Sequence, residues 1–329
     1  MVKAPSWGDI LKEIKIGLAT DGPHSLDNIR RKYLARMSEV SGRNTILYSS
    51  RWTVPTEGLN PGLTMVNNED IHGFMEAIHD LDYSKGLDLV IHSPGGSPTA
   101  AEALVKYIRA KFSDVRVVVP QAAMSAATMI ACSSDRVIMG KHSVLGPVDP
   151  QFTIMTPLGV KMVPAVAVLD QFKRAQEECK DPQKLTSWLP MLSQYGPSFL
   201  IECTNAITLS KVLVSQWLTN YMFKGEQDAT EKGMAIAEKL SDHNAMLSHG
   251  RPLDCATVRS YGLKVDELES DQDFQDAVLS TFHATMHTFN FSPVVKIIEN
   301  NLGKAYVKTM PINQGIHDRQ QKNVDIVTE

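Results

Sequence analysis

Through the first half of the chain, short runs of apolar, often β-branched residues alternate with segments whose apolar positions recur every three or four residues. Residues 45–49, 87–92, 115–119 and 136–139 read as strands, and 69–81, 98–112 and 125–132 as helices. In 98–112 the apolar side is made by Ala103, Leu104, Ile108 and Phe112. Alternation at this spacing predicts parallel βαβ units, and strands with so little polar alternation suit a sheet covered on both faces. Near the start, Trp7, Ile10, Leu11, Ile14 and Leu18 form one apolar stripe, which predicts a short amphipathic helix; packing on the domain or on a sister subunit is favoured over an interfacial membrane anchor.

Beyond Asp149 the texture changes. Residues 151–161 are punctuated by Pro and Gly at about hairpin length, and 164–180 reads as a helix opened by a proline. The stretch 182–240, including 199–223, is almost wholly helical, more than a sheet needs for cover, so part of it is expected to project as an oligomer contact. A short helix over 254–261 ends at Gly262, 264–268 returns as an edge strand, and a last helix over 273–288 leads into the segment 292–308 and a polar tail beyond Pro311. The expected organisation is an α/β core over 83–271 with a helical insertion at 182–240, flanked by 1–82 and 272–329.

Composition narrows the class without naming a function. At 329 residues, 43% hydrophobic and 21% charged, the chain can bury a sizeable core, which excludes disorder and fibrous folds. A net charge of -4 with no long basic run argues against nucleic acid as the main partner. Cys132, Cys179, Cys203 and Cys255 follow no CxxC spacing, as expected of reduced thiols in a cytoplasmic protein. Lys12, Glu13 and Lys15 interrupt any apolar run at the N-terminus, so no signal peptide is expected, and no integral membrane span is expected because no apolar run reaches about eighteen residues.

Two clusters carry candidate chemistry. Ser93-Pro94-Gly95-Gly96-Ser97 joins a strand to a helix, and its glycines permit a turn whose N–H groups face outward toward an anion or oxyanion. Neither GxGxxG nor GxxxxGK[ST] occurs, so it is no nucleotide fingerprint, and no cofactor is expected. After the next strand, Ser125 stands at the start of a helix among Ala122, Ala123, Ala126 and Ala127. It suits a nucleophile beside free helix N–H groups, but spacing alone favours a helix N-cap. His283 and His287 have a metal-compatible spacing without carboxylate partners and read as amphipathic or interface residues, so no metal is expected; His92 reads as a core or substrate-side histidine.

In combination these clusters, with 29 positions from Gly96 to Ser125, resemble the Clp protease/crotonase superfamily. The segments 125–131, 145–151 (LGPVDPQ), 249–253 (HGRPL) and 288–308 resemble the serine dehydrogenase proteinase family across roughly 45–310, although Ala127 stands where many relatives have glycine. The resemblance implies a Clp/crotonase-like ββα-superhelix and a serine endopeptidase that forms an acyl-enzyme. In the Clp subunit the catalytic order is Ser, His, Asp; this family is described as Ser, Asp, His. Carried over, Ser125 is the nucleophile, Asp149 the orienting carboxylate and His249 the base, with oxyanion donors from Gly95 or Gly96 and Ala126.

Each assignment has a rival. Asp149 could merely fix a turn and His249 satisfy loop carbonyls; as base, His142, Lys141, Lys161 and Lys173 compete. Polypeptide is the expected partner, in a homo-oligomer, with any unfoldase supplied separately. A crotonase-like acyl-CoA enzyme and a non-catalytic scaffold of the same fold are the alternative functions.

Overall fold

A seven-stranded, largely parallel sheet organises the computed structural model, which describes residues 5–156 and 159–310. Helices α1 (Trp7–Thr20) and α2 (His24–Ser41) precede β1 (Asn44–Ser50), and α3 (Asp70–Ile78) leads to β2 (Leu87–His92). Then come α4 (Pro98–Lys111), β3 (Val115–Val119), β4 (Ala122–Ala123), α5 (Ala126–Cys132), β5 (Arg136–Met139) and β6 (Val144–Leu145). The hairpin β7 (Gln151–Thr156) and β8 (Gly159–Pro164) introduces α6 (Ala165–Glu178), α7 (Pro182–Leu192), α8 (Phe199–Trp217) and α9 (Ala229–Ser241). The chain continues through α10 (His243–Met246), β9 (Leu253–Asp254), α11 (Cys255–Tyr261), β10 (Val265–Glu267), α12 (Gln272–Phe291), β11 (Val294–Asn300) and β12 (Ala305–Thr309).

The large sheet runs β10-β5-β3-β2-β1-β11-β12, parallel from β10 to β1 and antiparallel at β11 and β12. Its apolar strands are buried on both faces because alternate side chains enter different cores. Leu89, Ile91, Val117 and Val137 face α4, α5, α8 and α9, while Leu47, Val90, Val118 and Ile138 face Phe274, Val278, Phe282 and Phe289 of α12. Gly262 ends α11 at φ 111°, and β10 is an edge strand.

Among the elements absent from the sequence expectation are α2 and the strands β11 and β12. In α2, Arg30, Arg31 and Lys32 break the apolar pattern, yet Leu26, Ile29, Tyr33, Leu34 and Met37 are buried, and so is Arg30. Its guanidinium donates to Glu299 Oε2 at 2.6 Å and to Asp27 Oδ1 at 2.8 Å, and Arg31 reaches Glu299 Oε1 at 2.6 Å. Glu299 belongs to β11, which lies antiparallel to β1, so the 292–308 segment is a hairpin completing the sheet. The N-terminal stripe packs inside this chain: Ile10 and Ile14 of α1 meet Leu26, Ile29 and Tyr33 of α2 and Ala284 of α12.

The helical block divides within α8. Leu213, Val214 and Trp217 join the main core with Ile236 and Leu240 of α9, whereas Cys203, Phe199 and Ile207 form a separate small core with Ala165 and Val168 of α6 and Phe152 and Val163 of the hairpin. That outer unit exposes Met155, Val160, Met162, Leu189 and Ile201. Among the described residues, no helix is long and apolar enough to cross a membrane.

Candidate active site

Beside the large sheet lies a small one of order β4-β6-β9, and Ser125, Asp149 and His249 each stand near the end of one of its strands. Ser125 follows β4 by two residues, Asp149 follows β6 by four, and His249 precedes β9 by four. Ala123 pairs with Leu145, which pairs with Leu253, so three segments far apart in sequence are brought to one place by a few ladder hydrogen bonds. The segment between β6 and Asp149 is tied at both ends. Gly146 N–H donates to Thr128 Oγ1 at 3.0 Å, and Val148 N–H donates to the Leu240 carbonyl at 2.9 Å.

Ser125 does not cap α5. Its side chain makes no cap hydrogen bond, and its backbone stands at φ 51°, ψ −119°, a conformation L residues rarely adopt. The strain is held by neighbours: Met124 N–H donates to the Ser93 carbonyl at 3.0 Å, and Ala127 and Met129 N–H donate to Met124 and Ser125 carbonyls. A residue held in such a turn presents its side chain outward instead of folding it back on the helix. The N-cap expectation therefore gives way because the turn angle, invisible in residue spacing, removes the geometry a cap needs.

The Gly-Gly turn lies directly against Ser125. A Cβ on Gly95, at φ 91°, would come within 2.6 Å of Ser125 Cβ and 2.5 Å of the Met124 carbonyl oxygen, so only glycine fits. Gly95 N–H already donates to Ser93 Oγ at 3.2 Å. By contrast, the N–H groups of Gly96 and Ala126 have no acceptor among the described residues.

Asp149 is fully buried, and its carboxylate accepts from three side chains. His249 Nδ1 approaches Oδ1 at 2.7 Å, while His243 Nδ1 and Gln151 Nε2 each approach Oδ2 at 2.9 Å. Both imidazoles are partly exposed, at 25% for His249 and 15% for His243. A carboxylate on Nδ1 selects the tautomer whose Nε2 is a free base. His243 was not anticipated, because in Asp242-His243-Asn244 the chemistry-bearing feature looks like an N-cap aspartate, which Asp242 indeed is, donated to by Ala245 N–H at 3.0 Å. Among the described residues no hydrogen bond reaches Ser125 Oγ.

The other candidate bases have surroundings of their own. His142 Nε2 is held on the Pro120 carbonyl at 2.9 Å, Lys161 is exposed on β8, and Lys173 is exposed beside Asp170 at 3.7 Å. Lys141 is exposed too, with its backbone N–H on Glu269. His283 and His287 pack on Trp7, with ring centroids 5.2 and 4.0 Å away, and so fasten α1 to α12. No group of three His, Cys, Asp or Glu among the described residues could hold a metal ion.

His92, one residue before the Gly-Gly segment, is a core residue between Trp52 and Phe282, with Nε2 on Thr53 Oγ1 at 3.1 Å. Burial pushes its imidazole down to about 3 from the ordinary 6.5. The unfolded chain then binds more protons than the folded one below pH 6.5, so this contribution to stability is complete above 6.5 and is lost as pH falls toward 3. In thermal unfolding across that range, His92→Gln should lose less of its midpoint than the wild type; equal losses would place the acid sensitivity on other groups.

A strained serine thus stands against a Gly-Gly turn, beside the same small sheet as a buried carboxylate bearing imidazole. Residues 26–287 match the family of ClpP-like SDH-type serine proteinases, and the chain belongs to it. Among curated relatives, it is 42% identical over 206 residues to the uncharacterized protein MJ0137 of Methanocaldococcus jannaschii, covering 63% of this chain and 62% of that one. It is 26% identical over 208 residues to MJ1495 of the same organism, covering 63% and 61%. The chain thus matches somewhat over three fifths of these relatives' length. A solved structure, the 1510-N membrane-bound stomatin-specific protease, aligns with a TM-score of 0.37 and 17% identity over 61% of this chain and 74% of its own.

Proposed function

We propose that the protein is a serine endopeptidase that cleaves extended polypeptide through an acyl-enzyme on Ser125. The observation that carries this reading is the buried Asp149 with an imidazole on each oxygen, on the same three-stranded sheet that ends in the strained Ser125. In the reaction, His249 Nε2 takes the hydroxyl proton as Ser125 Oγ attacks the scissile carbonyl, and later returns it to the leaving amine. Asp149 holds the Nδ1 proton and stabilises the imidazolium that forms. Charge on the tetrahedral oxygen is met by the N–H groups of Gly96 and Ala126, both without acceptors among the described residues. Water bound in place of the amine then hydrolyses the ester by the same route. In this reading the hydrogen bond from Ser125 to His249 is made in the substrate complex.

A cavity of about 540 Å³ between the β7–β8 hairpin and α6–α8 begins one residue beyond Gln151. Phe152, Ile154, Val168, Tyr195 and Phe199 line it, which supports apolar side chains in the substrate. The apolar surface exposed on the outer unit supports a homo-oligomer. A crotonase-like acyl-CoA reaction would use the Gly-Gly turn, but it leaves the Asp149–imidazole pairs without a task.

The test is a fluorophosphonate probe applied to the full chain. One adduct per chain is expected, mapping by mass to Ser125, with parallel loss of hydrolysis of denatured casein. Hydrolysis that survives while Ser125 remains unmodified would rule the reading out.

A further inference from the structure

Lys296 of β11 is fully buried, in register with Ser50 of β1, and its ammonium sits 2.7 Å from Asp70 Oδ1 and 2.7 Å from the Met65 carbonyl oxygen. Asp70 is itself buried at the start of α3, and its second oxygen accepts from Tyr48 OH at 2.6 Å and Asn67 N–H at 3.0 Å. Replacing a buried ion pair by apolar residues of similar size is often neutral or stabilising, so stability alone gives little reason for this one. What the pair does hold is the carbonyl of Met65.

The next residue, Val66, straps the Gly-Gly turn. Its N–H donates to the Gly95 carbonyl at 2.7 Å, its carbonyl accepts from Ser97 N–H at 2.9 Å, and it bridges Gly96 in parallel. The contact is close: a Cβ on Gly96 would lie 2.4 Å from the Val66 carbonyl oxygen. In a planar trans peptide the C=O and N–H point in opposite directions. Fixing the Gly95 carbonyl on Val66 therefore turns the Gly96 N–H away from the strap, and among the described residues it has no acceptor.

We infer that Lys296 is a positioning residue for catalysis, holding Met65–Val66 so that the strap aims the Gly96 N–H at the oxygen of the tetrahedral intermediate. The inference rests on the serine-peptidase reading above. It also assigns the C-terminal hairpin a part in the reaction.

The experiment compares Lys296→Met, the double variant Lys296→Met/Asp70→Asn, and Glu299→Gln, which perturbs a different buried ion cluster on the same strand. The double variant removes both charges and so remains informative if the single one folds poorly. With a fluorogenic peptide, the Lys296 variants should lose kcat by about 10- to 100-fold, short of the loss of a whole oxyanion donor, while KM moves less than about twofold. Affinity for a peptide aldehyde, whose hemiacetal oxygen occupies the same place, should fall by the same factor. Glu299→Gln should leave kcat of the folded enzyme within about twofold. Amide exchange at Val66 and Ser97 should accelerate in the Lys296 variants and not in Glu299→Gln. Unchanged kcat, or unchanged exchange at these two amides, overturns the inference. If the wild type neither hydrolyses peptide nor labels at Ser125, the peptidase reading fails, and exchange still decides whether Lys296 holds the strap.

Discussion

Ser125→Ala is expected to lower kcat for peptide hydrolysis by about 10⁶-fold, the scale seen when the nucleophile of a serine protease is removed. The loss should appear with little change in fold, because the hydroxyl makes no hydrogen bond within the described residues. Ser125→Gly should reach the same catalytic floor with a higher thermal midpoint than Ser125→Ala. The reason is the backbone at φ 51°, ψ −119°, which strains any residue with a Cβ by about 1–3 kcal/mol and glycine much less. Progress curves and thermal unfolding on the same preparations check both statements. A loss smaller than about tenfold in either variant would put the nucleophile on another residue.

Asp149→Asn is expected to cost about 10⁴-fold in kcat, since the amide keeps the shape but offers only one accepting oxygen and a donor where an imidazole proton now points. Two histidines share this carboxylate, so the companion variants decide which is the base. His249→Ala should fall to the floor of Ser125→Ala, and the two combined should be no worse than either, because groups acting as a unit are not additive. His243→Ala should cost only about tenfold, because it removes one of three donors holding Asp149 and leaves His249 in place. The reverse order of severity would transfer the role of base to His243.

Much of this architecture was legible because the central strands state their environment locally. LVI in β2 and VRVVV in β3 are apolar on both sides of the pleat, and such runs are stable only in a sheet covered twice. The close approach of the two turns was legible for a similar reason, since Gly95-Gly96 and the alanines around Ser125 leave room for one backbone against another. Two places where buried charges interrupt the apolar pattern escaped. In α2 Arg30 interrupts the stripe, and in β11 Lys296 and Glu299 interrupt a strand that would otherwise read plainly. Each is buried only because its partner arrives from elsewhere: Glu299 for Arg30, across 269 positions, and Asp70 for Lys296, across 226.

The same division runs through the site. Local preference, apolar period and glycine placement sufficed to announce an α/β protein with a serine and a Gly-Gly turn at neighbouring strand ends, because those features depend on residues adjacent in the chain. Whether Ser125 caps its helix or is turned outward, which glycine keeps a free N–H, and that His243 joins His249 on Asp149 were settled in three dimensions. They depend on a ladder joining Ala123, Leu145 and Leu253 and on where buried hydrogen-bonding groups find their partners, and neither is encoded within the reach of a single segment.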